Sequence, residues 1–148
     1  MTSHTAADEK ALIRRAALER RAGVSEATRQ AFAERIALQG VALARRALVR
    51  TVAVFLPIGS EPETRMLLAA LDYHDFVPAL PCTGPMGRPL TFRRWRDGDP
   101  LVDGPMRIPE PSPRLPQVEP DLIFAPAAAF DRRGFRAGYG GGFYDITL

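Results

Sequence analysis

Residues Asp121 to Asp145 read DLIFAPAAAFDRRGFRAGYGGGFYD and join a short apolar run to a segment rich in glycine. The run DLIF predicts a buried strand that ends at Pro126, because proline has no backbone N–H to donate to a sheet. Thr51 to Leu56, TVAVFL, is rich in β-branched residues and predicts a second strand, buried on both faces and closed by Pro57. Strands that are apolar on both faces are typical of an α/β sheet.

Segments with helical spacing separate these strands. Three helices are predicted: one from Ala6 to Arg21, one from Ser25 toward Leu48, and one that Pro62 opens at its first position. The second helix has its apolar positions at Phe32, Ile36 and Val41. Further strands are predicted at Phe76–Leu80 and Leu90–Trp95, and the Gly84–Gly87 turn before the second of them is compatible with a hairpin. A mostly loop region is predicted at Arg96–Pro120, and a helix start at Gly142–Leu148.

The alternation of strands and helices predicts a three-layer α/β fold with a mainly parallel sheet flanked by helices. Ligands of such sheets bind beyond the carboxyl ends of the strands. Leu56–Glu61 and Ala125–Asp145 both follow predicted strands. We therefore expect these two segments to meet at one edge of the sheet and to form a site there.

Composition restricts the class of protein. The 148 residues are 46% hydrophobic and 25% charged, with a net charge of +3, so one globular domain with a polyanionic small ligand is expected. Cys82 is the only cysteine, which excludes an intrachain disulfide and favours the cytoplasm. No apolar window predicts a membrane span. Acidic residues interrupt the arginine-rich helices, which argues against nucleic acid as a partner; they are Glu19, Glu26 and Glu34.

The glycine-rich segment predicts an anion site. Glycines accept positive φ angles, so their successive N–H groups can line a polyphosphate; the four are Gly138, Gly140, Gly141 and Gly142. Arg136 adds a positive charge, and Asp145 is a candidate ligand for Mg²⁺, which takes one or two carboxylates plus phosphate oxygens. The alternative is a turn with an incidental aspartate. The segment has neither a Walker lysine nor a G-x-G-x-x-G pattern, so spacing alone names no reaction.

The same run, Asp121 to Asp145, strongly resembles the signature of the 5-formyltetrahydrofolate cyclo-ligase family (5,10-methenyltetrahydrofolate synthetases). The resemblance covers nearly the whole chain in order. Its other parts are Lys10-Ala-Leu-Ile-Arg14, Phe55-Leu56 followed by Glu61-Pro62-Glu63-Thr64, Leu90 to Trp95, and Ile108-Pro109-Glu110-Pro111. It implies a Rossmann-like fold of the NagB/RpiA/CoA-transferase-like type.

The resemblance also implies an activity. In that family ATP phosphorylates the formyl oxygen of 5-formyltetrahydrofolate, a neighbouring folate nitrogen attacks the activated carbon, and phosphate leaves to give 5,10-methenyltetrahydrofolate. ATP and Mg²⁺ are thus the implied co-substrate and metal, and the partners are small molecules, a folate and a nucleotide. A monomer is the implied assembly.

Site residues follow from the resemblance position by position. The implied ATP contacts are Lys10, Arg14, Arg136, Gly138, Gly140, Gly141, Gly142 and Tyr144. The implied folate contacts are Leu56, Glu61, Tyr139, Gly140, Gly141, Gly142 and Phe143. Arg136 and Tyr144 are the implied catalytic residues, and Asp145 is the implied metal ligand. Without the resemblance, Lys10 and Arg14 fit a solvated helix face, and Glu61 fits a charge at a helix start. Trp95 fits either stacking on a pterin or packing, and His4 and His74 look peripheral.

Residues 1–148 are expected to form one such domain, shorter at the C-terminus than the family pattern, which usually adds a strand, a helix and a second acidic metal ligand. Two alternatives to an active ligase therefore stay open. One is a catalytically silent remnant that binds nucleotide or folate. The other is a chain that self-associates through an exposed sheet edge.

Overall fold

The computed structural model describes residues 5–148, so His4 lies outside the described residues. Four helices are present: α1 (Ala6–Ala22), α2 (Glu26–Arg46), α3 (Arg65–Tyr73) and α4 (Phe143–Thr147). The strands are β1 (Thr51–Ala53), β2 (Val77–Cys82), β3 (Thr91–Arg94), β4 (Leu101–Asp103), β5 (Pro109–Pro111), β6 (Gln117–Val118), β7 (Leu122–Ile123), β8 (Ala129–Phe130) and β9 (Arg136–Ala137), with a 3₁₀ turn at Pro105–Arg107. None of these helices is long and apolar enough to cross a membrane.

The first two helices begin where their capping residues predict. The Thr5 side chain accepts a hydrogen bond from the Asp8 amide, and the Asp8 carboxylate accepts one from the Thr5 amide, which makes a capping box at the start of α1. Ser25 caps α2 through the Thr28 amide, as its position predicted. The third predicted helix is present, but its predicted start at Pro62 was wrong. Pro62 lies outside α3, and Thr64 precedes the helix with its hydroxyl donated to the Phe55 carbonyl.

The main sheet has five strands in the order β6-β3-β2-β1-β7. β1 pairs in parallel with β2 and β7, whereas β2 with β3 and β3 with β6 are antiparallel. The α/β class is confirmed, but the prediction of a mainly parallel sheet was wrong because the sheet is mixed. The chain reverses between β2 and β3 through a short turn containing Gly87 at φ +80°. A connection that short gives a hairpin, while a parallel pair needs a long crossover.

Helices α2 and α3 cover one face of the sheet. Their close approach depends on Gly40, where an added Cβ would lie 2.5 Å from Cδ1 of Leu67. Small residues form the rest of the buried stripe of α2, namely Ala33, Ala37, Val41 and Ala44. Phe32, predicted to face the core, is 49% exposed, because the buried stripe passes through the neighbouring Ala33.

Asp121 fixes the position of β7 beside β1. Its carboxylate accepts hydrogen bonds from the Arg50 amide at 2.9 Å and the Thr51 amide at 2.8 Å. These two bonds lower the pKa of Asp121 below its usual value. The strand predicted from the run DLIF, Asp121 to Phe124, is thus present as β7. In the part of the chain described, β7 pairs with β1 alone and forms an edge of the sheet.

Candidate functional site

A large cleft lies past the carboxyl ends of β1 and β2 and has a volume of about 930 Å³. Both segments that were predicted to meet contribute to it. Its walls come from α1, from the turn after β1, from the end of β2, from the start of β5 and from the glycine-rich segment. They include Lys10, Arg14, Arg21, Leu56, Ser60, Glu61, Leu90, Glu110, Arg136, Gly138, Tyr139, Gly140, Gly141, Gly142, Phe143, Tyr144 and Asp145. Every residue of the predicted site thus lines one cavity.

Helix α1 brings two of the predicted cations to the cleft. Lys10 and Arg14 are one helical turn apart, so their side chains leave the same face of the helix. Arg14 donates from Nε to the Gly138 carbonyl at 2.6 Å, which ties the helix to the glycine-rich segment across 124 residues of sequence. The interpretation of this face as merely solvated is thus wrong for Arg14, whose side chain is held in a tertiary contact.

A hairpin of β8 and β9 positions Arg136 at the mouth of the cleft. Ala129 pairs with Ala137 and Phe130 with Arg136. The Asp131 carboxylate stabilises the turn by accepting hydrogen bonds from the amides of Arg133 and Phe135. After this hairpin the chain passes through the glycines to Gly142, whose φ of +69° allows it to precede α4.

Arg136 and Asp145 form an ion pair. Nη2 of Arg136 lies 2.7 Å from Oδ1 of Asp145, and the guanidinium lies 5.5 Å from the centre of the Tyr144 ring. The two side chains differ in exposure, with 19% of the arginine and 70% of the aspartate accessible. The half-buried arginine is therefore held in place by the pair, while the aspartate stays largely exposed to solvent.

Glu61 lies 8% exposed in a tight turn. Oε2 of its carboxylate accepts from the Ile58 amide at 2.8 Å, and the Glu61 amide donates to the Ile58 carbonyl at 3.1 Å. Glu61 lines the cleft together with Tyr139 and Tyr144. A buried carboxylate facing a cavity is suited to accept hydrogen bonds from N–H groups of a ligand.

Burial raises the pKa of Tyr144 well above its usual value, the nearby negative charge of Glu61 raises it further, and Arg136 opposes both. Burial also raises the pKa of Tyr139, against the opposing hydrogen bond from Arg21. Both hydroxyls therefore stay protonated near neutral pH. In this cleft they act as hydrogen-bond donors and acceptors, and neither is a general base.

Trp95 does not line the cleft. Its side chain is buried in the core on the α2–α3 face of the sheet, and its indole N–H donates to the Asp99 carbonyl at 3.1 Å. The packing interpretation is thus correct and the stacking interpretation wrong. His74 is likewise outside the cleft, where its ring nitrogen contacts Arg45.

Two further groups in the cleft wall were missed from the sequence. Arg21 lies on α1 and contacts the hydroxyls of Ser60 and Tyr139. Glu110, 8% exposed, accepts from the Thr83 amide at 2.8 Å. Arg21 follows Arg14 by seven residues, two helical turns, so the helical period was the signal that could have found it. Glu110 stands inside the quoted I-P-x-P motif, but nothing local marks it as buried.

Asp145 is the predicted metal ligand, and its surroundings fit a metal shared with a ligand. Among residues 5–148 no three His, Cys, Asp or Glu side chains cluster closely enough to hold a metal ion. Mg²⁺ commonly takes one or two carboxylates and completes its shell with phosphate oxygens and water. A single exposed carboxylate beside the glycine-rich segment suits that arrangement and does not suit a cage built by protein alone.

The sequence matches the model of the 5-formyltetrahydrofolate cyclo-ligase family over residues 6–148. Curated relatives agree. The chain is 38% identical over 147 residues to the 5-formyltetrahydrofolate cyclo-ligase of Mycolicibacterium smegmatis, which covers 94% of this chain and 74% of the relative. It is 31% identical over 135 residues to the Escherichia coli K12 enzyme of the same name, covering 88% of this chain and 74% of the relative.

Solved structures give the same answer for the fold. The NMR structure of Aquifex aeolicus 5,10-methenyltetrahydrofolate synthetase superposes with a TM-score of 0.77 at 27% identity, covering 92% of this chain and 70% of that one. A synthetase from Mycoplasma pneumoniae gives a TM-score of 0.69 at 19% identity, covering 92% and 74%, and supports the fold alone. With the family matched over residues 6–148, this chain belongs to the 5-formyltetrahydrofolate cyclo-ligase family.

Proposed function

We propose that this chain catalyses the ATP- and Mg²⁺-dependent cyclisation of 5-formyltetrahydrofolate to 5,10-methenyltetrahydrofolate, with release of ADP and phosphate. Members of its family are ATP-dependent enzymes that form a C–N bond. The observation that carries the proposal is the cleft of about 930 Å³, into which cations, glycines and a buried carboxylate all converge. That volume lies in the range of pockets that enclose small organic ligands.

The nucleotide is assigned to the cationic side of the cleft. Lys10, Arg14 and Arg136 supply positive charge, and the backbone from Gly138 to Gly142 supplies N–H groups that can contact phosphate oxygens. Phosphoryl transfer needs alignment and neutralisation of charge more than a protein nucleophile. Arg136 suits this role because its guanidinium is fixed by Asp145 and packs near Tyr144. We assign Arg136 the stabilisation of the transferred phosphoryl group, and Tyr144 a hydrogen bond donated to it.

The folate is assigned to the side that contains Leu56, Glu61 and Phe143. Glu61 can accept hydrogen bonds from N–H groups of a pterin, while Leu56 and Phe143 supply apolar surface to a flat ring. Tyr139 and the glycines Gly140, Gly141 and Gly142 lie between the two sides. In this arrangement the formyl oxygen meets the terminal phosphoryl group next to the glycine-rich segment.

The chemistry balances without a protein nucleophile. The formyl oxygen takes the phosphoryl group from ATP and releases ADP; the neighbouring folate nitrogen then bonds to the activated carbon, loses its proton, and phosphate leaves with the former formyl oxygen. Asp145 would hold Mg²⁺, which supplies charge neutralisation at the phosphates. Burial raises the pKa of the Cys82 thiol, which keeps it neutral and fits the absence of a nucleophilic role.

We further propose that the chain is a cytoplasmic monomer with a three-layer, Rossmann-like fold. Its proposed partners are a folate and a nucleotide, and not nucleic acid. Light scattering on a sizing column tests the assembly, because pairing through the β7 edge would instead give a dimer.

The test of the activity is spectrophotometric detection of 5,10-methenyltetrahydrofolate formed from 5-formyltetrahydrofolate, ATP and Mg²⁺. Turnover that requires ATP and is lost in Asp145→Ala is the expected result. Omission of ATP serves as the control within each preparation. A folded protein that binds ATP without turnover would overturn the ligase and favour the silent nucleotide- or folate-binding remnant.

A further inference from the structure

We propose that Arg21 is a positioning residue for the folate side of the cleft, acting through Tyr139 and the turn that contains Glu61. This role rests on the proposed function and extends it, because it concerns a side chain to which that function assigns no part. Arg21 donates to Tyr139 and to Ser60, and its carbonyl accepts from Arg29.

Arg21 joins two walls of the cleft. Its Nη1 donates to the Tyr139 hydroxyl at 2.6 Å, and its Nε donates to the Ser60 hydroxyl at 3.0 Å. These partners are 118 and 39 residues away in sequence, on the glycine-rich segment and on the turn after β1. Two donors of one rigid guanidinium therefore fix the relative placement of both walls.

Arg29 of α2 donates hydrogen bonds to the backbone at both Arg21 and Ser60. Its Nη2 donates to the Arg21 carbonyl at 3.0 Å, its Nη1 to the Ser60 carbonyl at 3.3 Å, and its Nε to the Val24 carbonyl at 3.2 Å. The end of α1 and the turn at Ser60 are thus bonded both to each other and to α2. Arg21 stands on a supported backbone, which is what a positioning residue needs.

Tyr139 connects this junction to the ligand. Its hydroxyl accepts from Arg21, so its own proton is directed away from the arginine and toward other acceptors. Arg21 also donates to Ser60, the residue before Glu61. Arg21 therefore links Tyr139 to the turn that carries Glu61, and both of these residues line the cleft. With glycines on both sides of Tyr139, the local backbone imposes little orientation on the ring, and Arg21 supplies it.

A direct role of the Arg21 charge makes a different prediction from a positioning role. If Arg21 attracted an anionic ligand by charge alone, Arg21→Lys would retain binding. A lysine has one nitrogen and cannot bond to Ser60 and Tyr139 with the geometry of a planar fork, so positioning predicts that lysine restores the function only in part.

The experiment measures kcat and KM for both substrates in Arg21→Gln, Arg21→Lys, Tyr139→Phe and the Arg21→Gln/Tyr139→Phe double variant. Arg21→Gln is expected to raise the KM for 5-formyltetrahydrofolate about tenfold, the usual scale for a lost charge-assisted hydrogen bond, with the KM for ATP within about twofold. Tyr139→Phe is expected to give a similar rise, and the double variant no further rise. Arg20→Gln is the matched control, because the Arg20 side chain is exposed and donates to the Ala16 carbonyl of its own helix.

An unchanged folate KM in folded Arg21→Gln overturns the proposal. So do additive effects in the double variant, full rescue by Arg21→Lys, or an equal rise in the KM for ATP. If Arg21→Gln does not fold, Ser60→Ala decides, since it removes one of the two side-chain acceptors of Arg21 and leaves Tyr139 in place; an unchanged folate KM in Ser60→Ala would then overturn the proposal. If the parent protein turns over normally and Arg21→Gln has an unchanged folate KM, Arg21 has no positioning role and the proposed function stands. A parent protein with neither turnover nor calorimetric binding of 5-formyltetrahydrofolate removes the proposed function, and this role with it.

Discussion

The α2–α3 face of the sheet and the glycine-rich wall of the cleft are held by different forces. On the helical face, aliphatic side chains such as Leu67, Leu71 and Val52 are fully buried and pack against each other. The glycine-rich wall is held by hydrogen bonds from long arginines, Arg14 to Gly138 and Arg21 to Tyr139. The first region therefore determines the free energy of unfolding, and the second determines the geometry of the cleft. Substitutions in the two regions should separate these quantities.

The largest effect is expected from Leu67→Ala. Leu67 is 1% exposed and packs against Gly40, so its truncation leaves a cavity between α2 and α3. The free energy of unfolding should fall by about 2–5 kcal/mol, measured by urea denaturation. Met66→Ala, at a neighbouring position that is 38% exposed, is the control and should change little. A similar loss in both variants would contradict the assignment of the core.

Arg136→Gln should lower the activity and leave the free energy of unfolding nearly unchanged, in contrast to Leu67→Ala. We expect kcat/KM to fall about a hundredfold, because a fixed charge aimed at a transferred phosphoryl group is lost. The free energy of unfolding should change by less than about 1 kcal/mol, since the partner, Asp145, is largely exposed to solvent. Arg133→Gln, on the same hairpin but 80% exposed and paired with Asp131, is the matched control and should keep full activity. A loss of stability in Arg136→Gln as large as that in Leu67→Ala would break the comparison.

Thr5→Ala should have a smaller effect that stays within α1. The capping box at Thr5 and Asp8 is lost, which costs about 1 kcal/mol of helix stability. Because α1 has no buried residues, the loss should appear as faster hydrogen exchange of its first turns. Global unfolding in urea should be unchanged. A shift in the urea midpoint would show that α1 is part of the cooperative core.

The smallest effect is expected at Asp121 and appears as a pH dependence. Two backbone hydrogen bonds lower its pKa in the folded state, so its stabilisation is present above the unfolded value of about 3.9 and is lost as the pH falls through the folded pKa. The difference in stability between the parent protein and Asp121→Asn should shrink as the pH is lowered below about 4. Exposed Glu119→Gln is the control. A difference that grows on acidification would contradict the sign.

The features predicted correctly from the sequence are those that local composition determines. The strands at Thr51 and Leu122 follow from apolar, β-branched runs, and the glycine-rich cleft wall follows from residues close together in sequence. The prediction of a mainly parallel sheet was wrong because the composition of the strands does not distinguish a hairpin from a crossover. The difference lies in the connection after β2. The prediction that Phe32 faces the core was wrong because the buried stripe of α2 passes through the neighbouring Ala33, and apolar spacing alone does not fix the centre of such a stripe to one residue.

Arg21 was missed for a different physical reason. An arginine on a polar helix has the same local pattern whether its guanidinium is solvated or bonded to a partner 118 residues away. The same holds for Glu110, whose burial depends on the Thr83 amide and on the close approach of Gly104. The seven-residue spacing places Arg21 on the same helix face as Arg14, but the sequence does not mark the partners of such long-range contacts, and only the fold identifies them. The roles of the site residues stay predictions until they are measured.

Hydrogen–deuterium exchange with and without 5-formyltetrahydrofolate and a non-hydrolysable ATP analogue with Mg²⁺ tests the division between core and cleft wall most directly. We predict that both ligands together slow exchange in residues 136–145 and 56–61, and that exchange in α2 and α3 stays unchanged. Protection confined to α2 and α3, or no protection of the glycine-rich segment at saturating ligand, would contradict the account.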